Sequence, residues 1–157
     1  MYKLLVTGSS GYIGSNFMKI YGNNYHFKPF SLQHEKLSAI DFKNLDVILH
    51  CAALVHQKRD FSYEKYHDIN TKYPLELAKK AKALGLRQFI FISTIAVYGE
   101  EKQVVREDTP CEPITSSAKS KREAEKQLLA LEDENFKVSI IRPPMVYGHG
   151  APGNIAS

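Results

Sequence analysis

Residues 7–17 read TGSSGYIGSNF, and this stretch decides the fold. It directly follows the short apolar run YKLLVT at 2–7, which is typical of a buried strand. Apolar residues then recur at helical spacing, at Ile13, Phe17 and Ile20. A strand, a glycine-rich turn and a helix in this order predict a loop that binds a phosphate at the helix N-terminus.

The three glycines of this loop each suit a different demand of a bound dinucleotide. Gly8 would allow the tight turn, Gly11 would let a pyrophosphate approach the backbone, and Gly14 would let the helix pack closely on the strand. The residues between them that we expect to contact the dinucleotide are Ser10, Tyr12 and Ile13. An ordinary glycine-rich turn could have the same letters, and the flanking strand and helix favour the binding loop. No GK[ST] follows, so the loop is not a P-loop.

Strand-like and helix-like runs alternate along the rest of the chain. Further strands are predicted at 26–32, 46–54, 87–94 and 137–143. Pro29 lies inside the first of these, which favours an edge strand. Helices are predicted at 70–85 and 117–134. The apolar face predicted for the helix at 70–85 comprises Tyr73, Leu77, Ala81 and Leu84.

This alternation predicts a doubly wound α/β fold, with a parallel sheet covered on both sides by helices. The 157 residues fit one domain. Between Leu32 and Asp46 the chain is too short for a full helix and a strand. We therefore expect the third strand region to be shortened or missing.

Composition excludes several classes of protein. With 43% hydrophobic and 24% charged residues, a packed globule is expected rather than disorder. The net charge of +4 comes from scattered basic residues, which argues against nucleic-acid binding. Cys51 and Cys111 show no metal-ligand spacing, so we expect a reduced, cytoplasmic protein without a metal. No apolar run is long enough to predict a membrane span or membrane partner.

The choice between NAD and NADP depends on the end of the second strand. An acidic residue there favours NAD and a nearby arginine favours NADP. The position falls on Ser31, which is neither, and the nearest basic residue is Lys36, whose charge could equally be a solvated loop charge. The absence of an arginine favours NAD slightly, and NADP stays open.

Six segments in order resemble the extended short-chain dehydrogenase/reductase family, the NAD-dependent nucleotide-sugar epimerases and dehydratases. They are TGSSGYIGSNF, DVILHCAAL, DIN, FIFISTIAVYGE, SSAKSKREAE and RPPMVYGHG. The resemblance covers nearly the whole chain and implies a Rossmann fold. It also implies a nucleotide-sugar substrate as partner and allows a homodimer.

The resemblance implies roles for individual residues. Thr94 corresponds to the catalytic Ser/Thr, although an ordinary strand-end hydroxyl would also explain it. Asn70 corresponds to an asparagine that organises the centre of the sheet. The remaining implied cofactor contacts are Ala52, Ala53, Leu54, Pro143, Met145 and Val146.

The segment SSAKSKREAE at 116–125 departs from the family at one position. Its Lys121 matches the lysine of the catalytic Tyr-x-x-x-Lys pair, which would also hold the nicotinamide ribose, and Ser117 stands where the tyrosine belongs. A capping box starting at Ser120 is an alternative explanation of the local pattern. Tyr98 and Tyr147 are other tyrosines, more consistent with packing than with replacing the missing one.

These observations predict that residues 1–157 form the NAD(P)-binding domain of such an enzyme, without the family's C-terminal substrate-binding region. Transient hydride transfer would be impaired by Ser117, because a serine hydroxyl is a far weaker acid than a phenol. A non-catalytic dinucleotide-binding module, used for sensing or for binding a partner, is the alternative.

Overall fold

The computed structural model describes residues 1–32, 35–54, 61–99, 104–148 and 150–151. The strands are β1 Lys3–Thr7, β2 His26–Phe30, β3 Val47–His50, β4 Gln88–Ile92 and β5 Lys137–Ile141. The helices are α1 Tyr12–Tyr21, α2 Tyr63–His67, α3 Tyr73–Ala83 and α4 Ser116–Leu129. One π-helical turn, Asp68–Lys72, joins α2 to α3, and short 3₁₀ helices lie at Leu37–Ala39 and Ile95–Tyr98.

All five strands are parallel, in the order β2-β1-β3-β4-β5. β2 is an edge strand, which confirms the prediction made from Pro29. The chain order reverses between β1 and β3, and ligands of open parallel sheets bind at the carboxyl ends of strands beside such a reversal. At this point Thr7 pairs with Phe30 on one side and with His50 on the other.

Several strands are shorter than the apolar runs that predicted them. The run at 46–54 forms a strand only from Val47 to His50, because the residues that follow it leave the sheet. Between residues 35 and 46, the described chain holds only the 3₁₀ helix Leu37–Ala39. The shortened third strand region is therefore confirmed.

Helices lie on both faces of the sheet, as predicted for a doubly wound fold. α3 and α4 pack on one face against a core that includes Leu5, Ile48 and Phe89. On the other face, α1 packs through Phe17 and Met18 against a smaller cluster formed by Leu4, Val6 and Leu49. The alternation of Leu4 and Leu5 between the two clusters follows from the two-residue period of a strand.

Two residues of the predicted helix faces are exposed. Ile20 and Leu84 have 67% and 57% of their surface accessible, so the helical spacing of apolar residues extends beyond the packed part of each helix. Both lie near the end of their helix, where the chain is turning away from the sheet. Pro74 lies in the first turn of α3, and Gly85 ends that helix with φ +82.

The capping box predicted at Ser120 is not the start of α4. The helix begins after Thr115, whose hydroxyl accepts the N–H of Ala118 at 3.1 Å. Ser120 is fully buried inside the helix, and its hydroxyl donates to the Ser117 carbonyl oxygen at 2.7 Å. This alternative interpretation was therefore wrong, and Ser120 packs in the interior.

Candidate cofactor-binding and active site

The three glycines of the loop differ in how closely protein atoms surround them, as a dinucleotide-binding loop requires. A Cβ atom on Gly8, where φ is +69, would lie 2.6 Å from the Ala52 amide nitrogen. A Cβ atom on Gly14 would lie 2.5 Å from the carbonyl oxygen of Gly8. At Gly11 the same atom would approach only that carbonyl oxygen, at 3.2 Å. Gly8 and Gly14 are thus fixed by protein packing, whereas the surroundings of Gly11 stay open to a ligand.

The first turn of α1 presents free backbone donors beside Gly11. Gly11 is the N-cap of the helix and has no side chain to cap it. The first N–H groups of any helix lack partners within that helix, and here they belong to Tyr12 and Ile13. Their amides and the positive end of the helix dipole suit a diphosphate. Ser10 is exposed on the same loop.

A second part of the site is a cleft of about 480 Å³ at the carboxyl ends of β3 and β4. It brings together seven predicted site residues, Ile13, Ala53, Thr94, Ser117, Lys121, Pro143 and Val146. Seven more lining residues were not assigned from the sequence: Cys51, Ile92, Ser93, Ala96, Thr115, Ala118 and Pro144. The cleft is mostly apolar, which suits a flat ring that must be kept from water.

Lys121 is the central charge of this cleft. It is only 5% exposed, its Nζ donates to the Ile92 carbonyl oxygen at 2.7 Å, and it lies 4.4 Å from the centre of the Phe91 ring. Burial lowers the pKa of Lys121 to about 8, against the opposing attraction of Cys51 and Glu125. Ser117 lies one helical turn earlier and lines the same cleft.

The neighbouring hydroxyls of Ser93 and Thr94 make different hydrogen bonds. Ser93 is buried and donates its hydroxyl to Glu125 Oε1 at 2.6 Å, so this hydroxyl is committed to the protein interior. Thr94 Oγ1 accepts the Ala96 N–H at 3.2 Å, and its own proton can still be donated into the cleft. Thr94 is therefore the better placed of the two, although it also caps a 3₁₀ helix like an ordinary strand-end residue.

Asn70 and Ser120 connect the cleft to the helices behind it. The Asn70 carboxamide accepts the N–H of Leu54 at 2.8 Å and donates to the Leu54 carbonyl oxygen at 3.0 Å. It also donates to the Ser120 hydroxyl at 3.1 Å, while Thr71 donates to the Ser120 carbonyl oxygen at 2.7 Å. All three polar side chains are fully buried. This network fixes the distance between the end of β3 and α4.

A buried carboxylate anchors α4 from the other side. Glu125 is fully buried and accepts from Arg122 at 2.8 Å and from Arg142 at 2.9 and 2.8 Å. Burial raises the pKa of Glu125, but the hydrogen bonds from Arg142, Ser93 and Arg122 outweigh it and lower that pKa overall. Arg142 also donates to the Tyr98 hydroxyl at 2.6 Å. Tyr98 is thus a packing residue.

Two ionisable groups near Lys121 are held neutral. His50 is fully buried, and burial followed by the charge of Lys121 lowers its pKa to about 3. Its Nδ1 is paired with Thr7 Oγ1 at 2.7 Å, and the ring stacks between aromatic neighbours. Burial raises the pKa of the Cys51 thiol to about 11. Neither group can serve as a base near neutral pH.

Some predicted site residues lie outside the cleft. Ala52 is buried beneath the glycine loop, and Leu54 pairs with Asn70. Met145 is 63% exposed and does not line the cleft. Tyr147 is 74% exposed, and its carbonyl oxygen accepts from the Tyr12 hydroxyl at 3.4 Å. Its exposed ring gives no support to a replacement for the missing tyrosine.

The fold and the loop define the class: an α/β domain with a dinucleotide-binding site at the carboxyl edge of a parallel sheet. The chain belongs to the NAD dependent epimerase/dehydratase family, whose model matches residues 30–157. This match begins at Phe30, the last residue of β2, and leaves out the glycine loop. No helix among the described residues is long and apolar enough to cross a membrane.

Known relatives agree with this assignment. A UDP-glucose 4-epimerase of Vibrio cholerae is 36% identical over 98% of this chain and 55% of its own length. The solved UDP-glucuronic acid 4-epimerase of Bacillus cereus, in complex with NAD, has a TM-score of 0.80 and 25% identity, covering 93% of this chain and 58% of that one. A dTDP-4-dehydrorhamnose reductase of Clostridium acetobutylicum has a TM-score of 0.79 and 31% identity, covering 94% and 55%. The chain spans about half the length of the curated relatives it matches.

Proposed function

We propose that this chain is the NAD-binding part of an enzyme that acts on a nucleotide sugar as an epimerase, dehydratase or reductase. The observation that carries the proposal is the difference in packing among the three glycines of the loop. Backbone atoms leave no room for a Cβ at Gly8 and Gly14, whereas Gly11 has open space beside the uncapped amides of α1. A related structure with this fold holds NAD.

The residues present fit the two ends of NAD. The diphosphate would lie at Gly11 against the amides of Tyr12 and Ile13. The nicotinamide ring would occupy the apolar cleft, with the ribose next to it hydrogen-bonded by Lys121. When bound, NAD supplies a hydride acceptor and donor. The chain itself must then orient the sugar and move a proton.

Thr94 and Lys121 are the residues we assign to the sugar side of the cleft. The Thr94 hydroxyl would donate a hydrogen bond to the sugar oxygen, since it accepts from the Ala96 N–H through one lone pair and keeps its proton to donate. Lys121 would supply positive charge that favours an ionised acid–base group next to it. At position 117 that group is a serine hydroxyl, which is shorter and far less acidic than a phenol. Low turnover follows for the form with serine.

A non-catalytic nucleotide-binding module is the second candidate. It is favoured by one observation: among the described residues that line the cleft, the only ionisable side chains are Cys51 and Lys121. Cys51 is kept protonated by burial, and Lys121 is tied to Ile92. A cleft of this kind could hold a nicotinamide ring without transferring a proton.

Calorimetric titration of the chain with NAD tests cofactor binding. Gly11→Val should abolish binding, because its side chain would fill the open space beside the amides. Gly22→Val is a matched control at the other end of α1, where an added Cβ would also lie 3.2 Å from one backbone carbonyl oxygen. If Gly11→Val and Gly22→Val both fold and bind NAD with equal affinity, the proposal is refuted.

A Ser117→Tyr replacement separates the two candidates. In a version of the protein that includes the family's substrate-binding region, it should raise turnover of the correct nucleotide sugar at least about a hundredfold. Lys121→Met in that background should remove most of the gain. Cofactor binding without any gain from tyrosine would instead support the non-catalytic module.

A further inference from the structure

The turn after β2 places a carboxylate at the end of that strand. The N–H of Ser31 donates to Glu35 Oε1 at 3.0 Å, and the N–H of Glu35 donates to the Ser31 carbonyl oxygen at 3.0 Å. These reciprocal bonds bring Glu35 back to the position that sequence alone assigned to Ser31. Ser31 itself is not acidic, as its sequence position shows, but the turn brings the carboxylate of Glu35 within hydrogen-bond distance of its N–H.

This carboxylate lies beside the glycine loop. The N–H groups of Gly8 and Ser9 donate to the Phe30 carbonyl oxygen at 3.1 and 3.5 Å, which ties the loop to the last residue of β2. Ser31 is the next residue, so Glu35 is anchored one residue beyond that contact. The adenosine ribose of a dinucleotide lies between the first loop and the end of the second strand.

We propose that Glu35 accepts hydrogen bonds from the adenosine ribose hydroxyls and makes this site selective for NAD over NADP. The inference rests on the proposed cofactor site and adds its selectivity. One oxygen of Glu35 accepts from Ser31, and no other described residue bonds the carboxylate. Glu35 is exposed, so its other carboxylate oxygen, Oε2, is accessible to a ligand. A carboxylate accepts bonds from a diol and repels a 2′-phosphate.

Lys36 is the competing group, because its charge would attract a 2′-phosphate. Its backbone caps the 3₁₀ helix Leu37–Ala39, but no described residue bonds its exposed side chain. Ordering that long side chain on a phosphate would cost conformational entropy. The Glu35 carboxylate already accepts from the Ser31 N–H, and the Glu35 backbone N–H bonds the Ser31 carbonyl oxygen, so its charge is pre-positioned and determines the selectivity.

Glu35→Gln tests this inference without breaking the turn, because the amide oxygen of glutamine can still accept from Ser31. We expect the preference for NAD over NADP, measured by calorimetry as the ratio of dissociation constants, to fall at least about tenfold. Glu134→Gln is the matched control, since it removes one exposed carboxylate at the opposite edge of the sheet and should leave the ratio unchanged. Thermal unfolding of both variants checks the fold.

Two outcomes would overturn the inference in different ways. An unchanged ratio in Glu35→Gln, with NAD still bound, would refute the role of Glu35 and leave the cofactor site standing. No binding of NAD by the unmodified chain would refute the cofactor site itself. A third result would support the inference. If Lys36→Met lowers NADP affinity in the Glu35→Gln background but not in the unmodified chain, Lys36 acts only once the carboxylate charge is gone.

Discussion

Replacing Lys121 with methionine should change how the stability of the protein depends on pH. The folded chain buries this ammonium group and lowers its pKa from 10.5 to about 8. Between these two values the unfolded chain binds more protons than the folded chain, so the free energy of unfolding rises with pH. The energetic penalty of the buried charge is fully present below pH 8 and is relieved as the pH rises toward 10.5.

The size of the effect follows from the shift. A difference of about 2.5 pKa units corresponds to about 3 kcal/mol at most. Between pH 7 and pH 9.5, linkage gives a relative gain of about 2 kcal/mol for the protein with lysine over Lys121→Met. Titrating groups that do not interact with Lys121 cancel when the two proteins are compared at the same pH.

Urea unfolding of both proteins at several pH values measures this difference. Lys119→Met is the control, because it removes an exposed lysine of the same helix that keeps its solvation on folding. A constant difference between wild type and Lys121→Met from pH 7 to 9.5 would show that the ammonium group is not desolvated. The described position of Lys121 beneath the cleft would then be wrong.

Three further results are expected. Gly14→Ala should lower the free energy of unfolding by about 2 kcal/mol or more, measured in urea, because its Cβ would lie 2.5 Å from a backbone oxygen; an unchanged midpoint would contradict this packing. Glu125→Gln and Arg142→Met should each destabilise by about 3 kcal/mol, and the double variant should lose less than their sum in a double-mutant cycle. Cys51, with its pKa raised to about 11 from 9.0, should alkylate about a hundredfold more slowly at pH 8 than a free thiol in a short unfolded peptide, as measured by mass spectrometry.

The apolar runs and the glycine spacing predicted most of the fold. Each described strand lies within or close to a predicted run, because strands buried on both faces leave a continuous apolar signal. The whole of α2 was missed, because the predicted helix begins only at residue 70 and the exposed residues after the cap Ser62 have no clear apolar period. Helical spacing grouped Ile20 and Leu84 with the packed residues of their helices, because periodicity does not show where a helix leaves the sheet.

The sequence identifies candidate site residues where one local segment carries the chemistry, as at Gly11 or Lys121. It does not show contacts for which two distant segments must meet. Glu125 and Arg142 form their pair only because α4 and the end of β5 lie side by side, and nothing local to either residue shows this. Glu35 was passed over because the expected position was counted along the chain, whereas the turn brings a later residue to the same place.

The π-helical turn Asp68–Lys72 makes this part of the chain sensitive to its length. Adjacent residues Asn70 and Thr71 both reach Ser120 there, while Tyr66 before the turn and Leu77 after it are both buried. Losing one residue would restore a regular helix and rotate the part before the turn relative to the part after it. Lys72→Ala should be tolerated, and deletion of Lys72 should lower the melting temperature sharply, so insertions and deletions would be rejected where point changes are accepted.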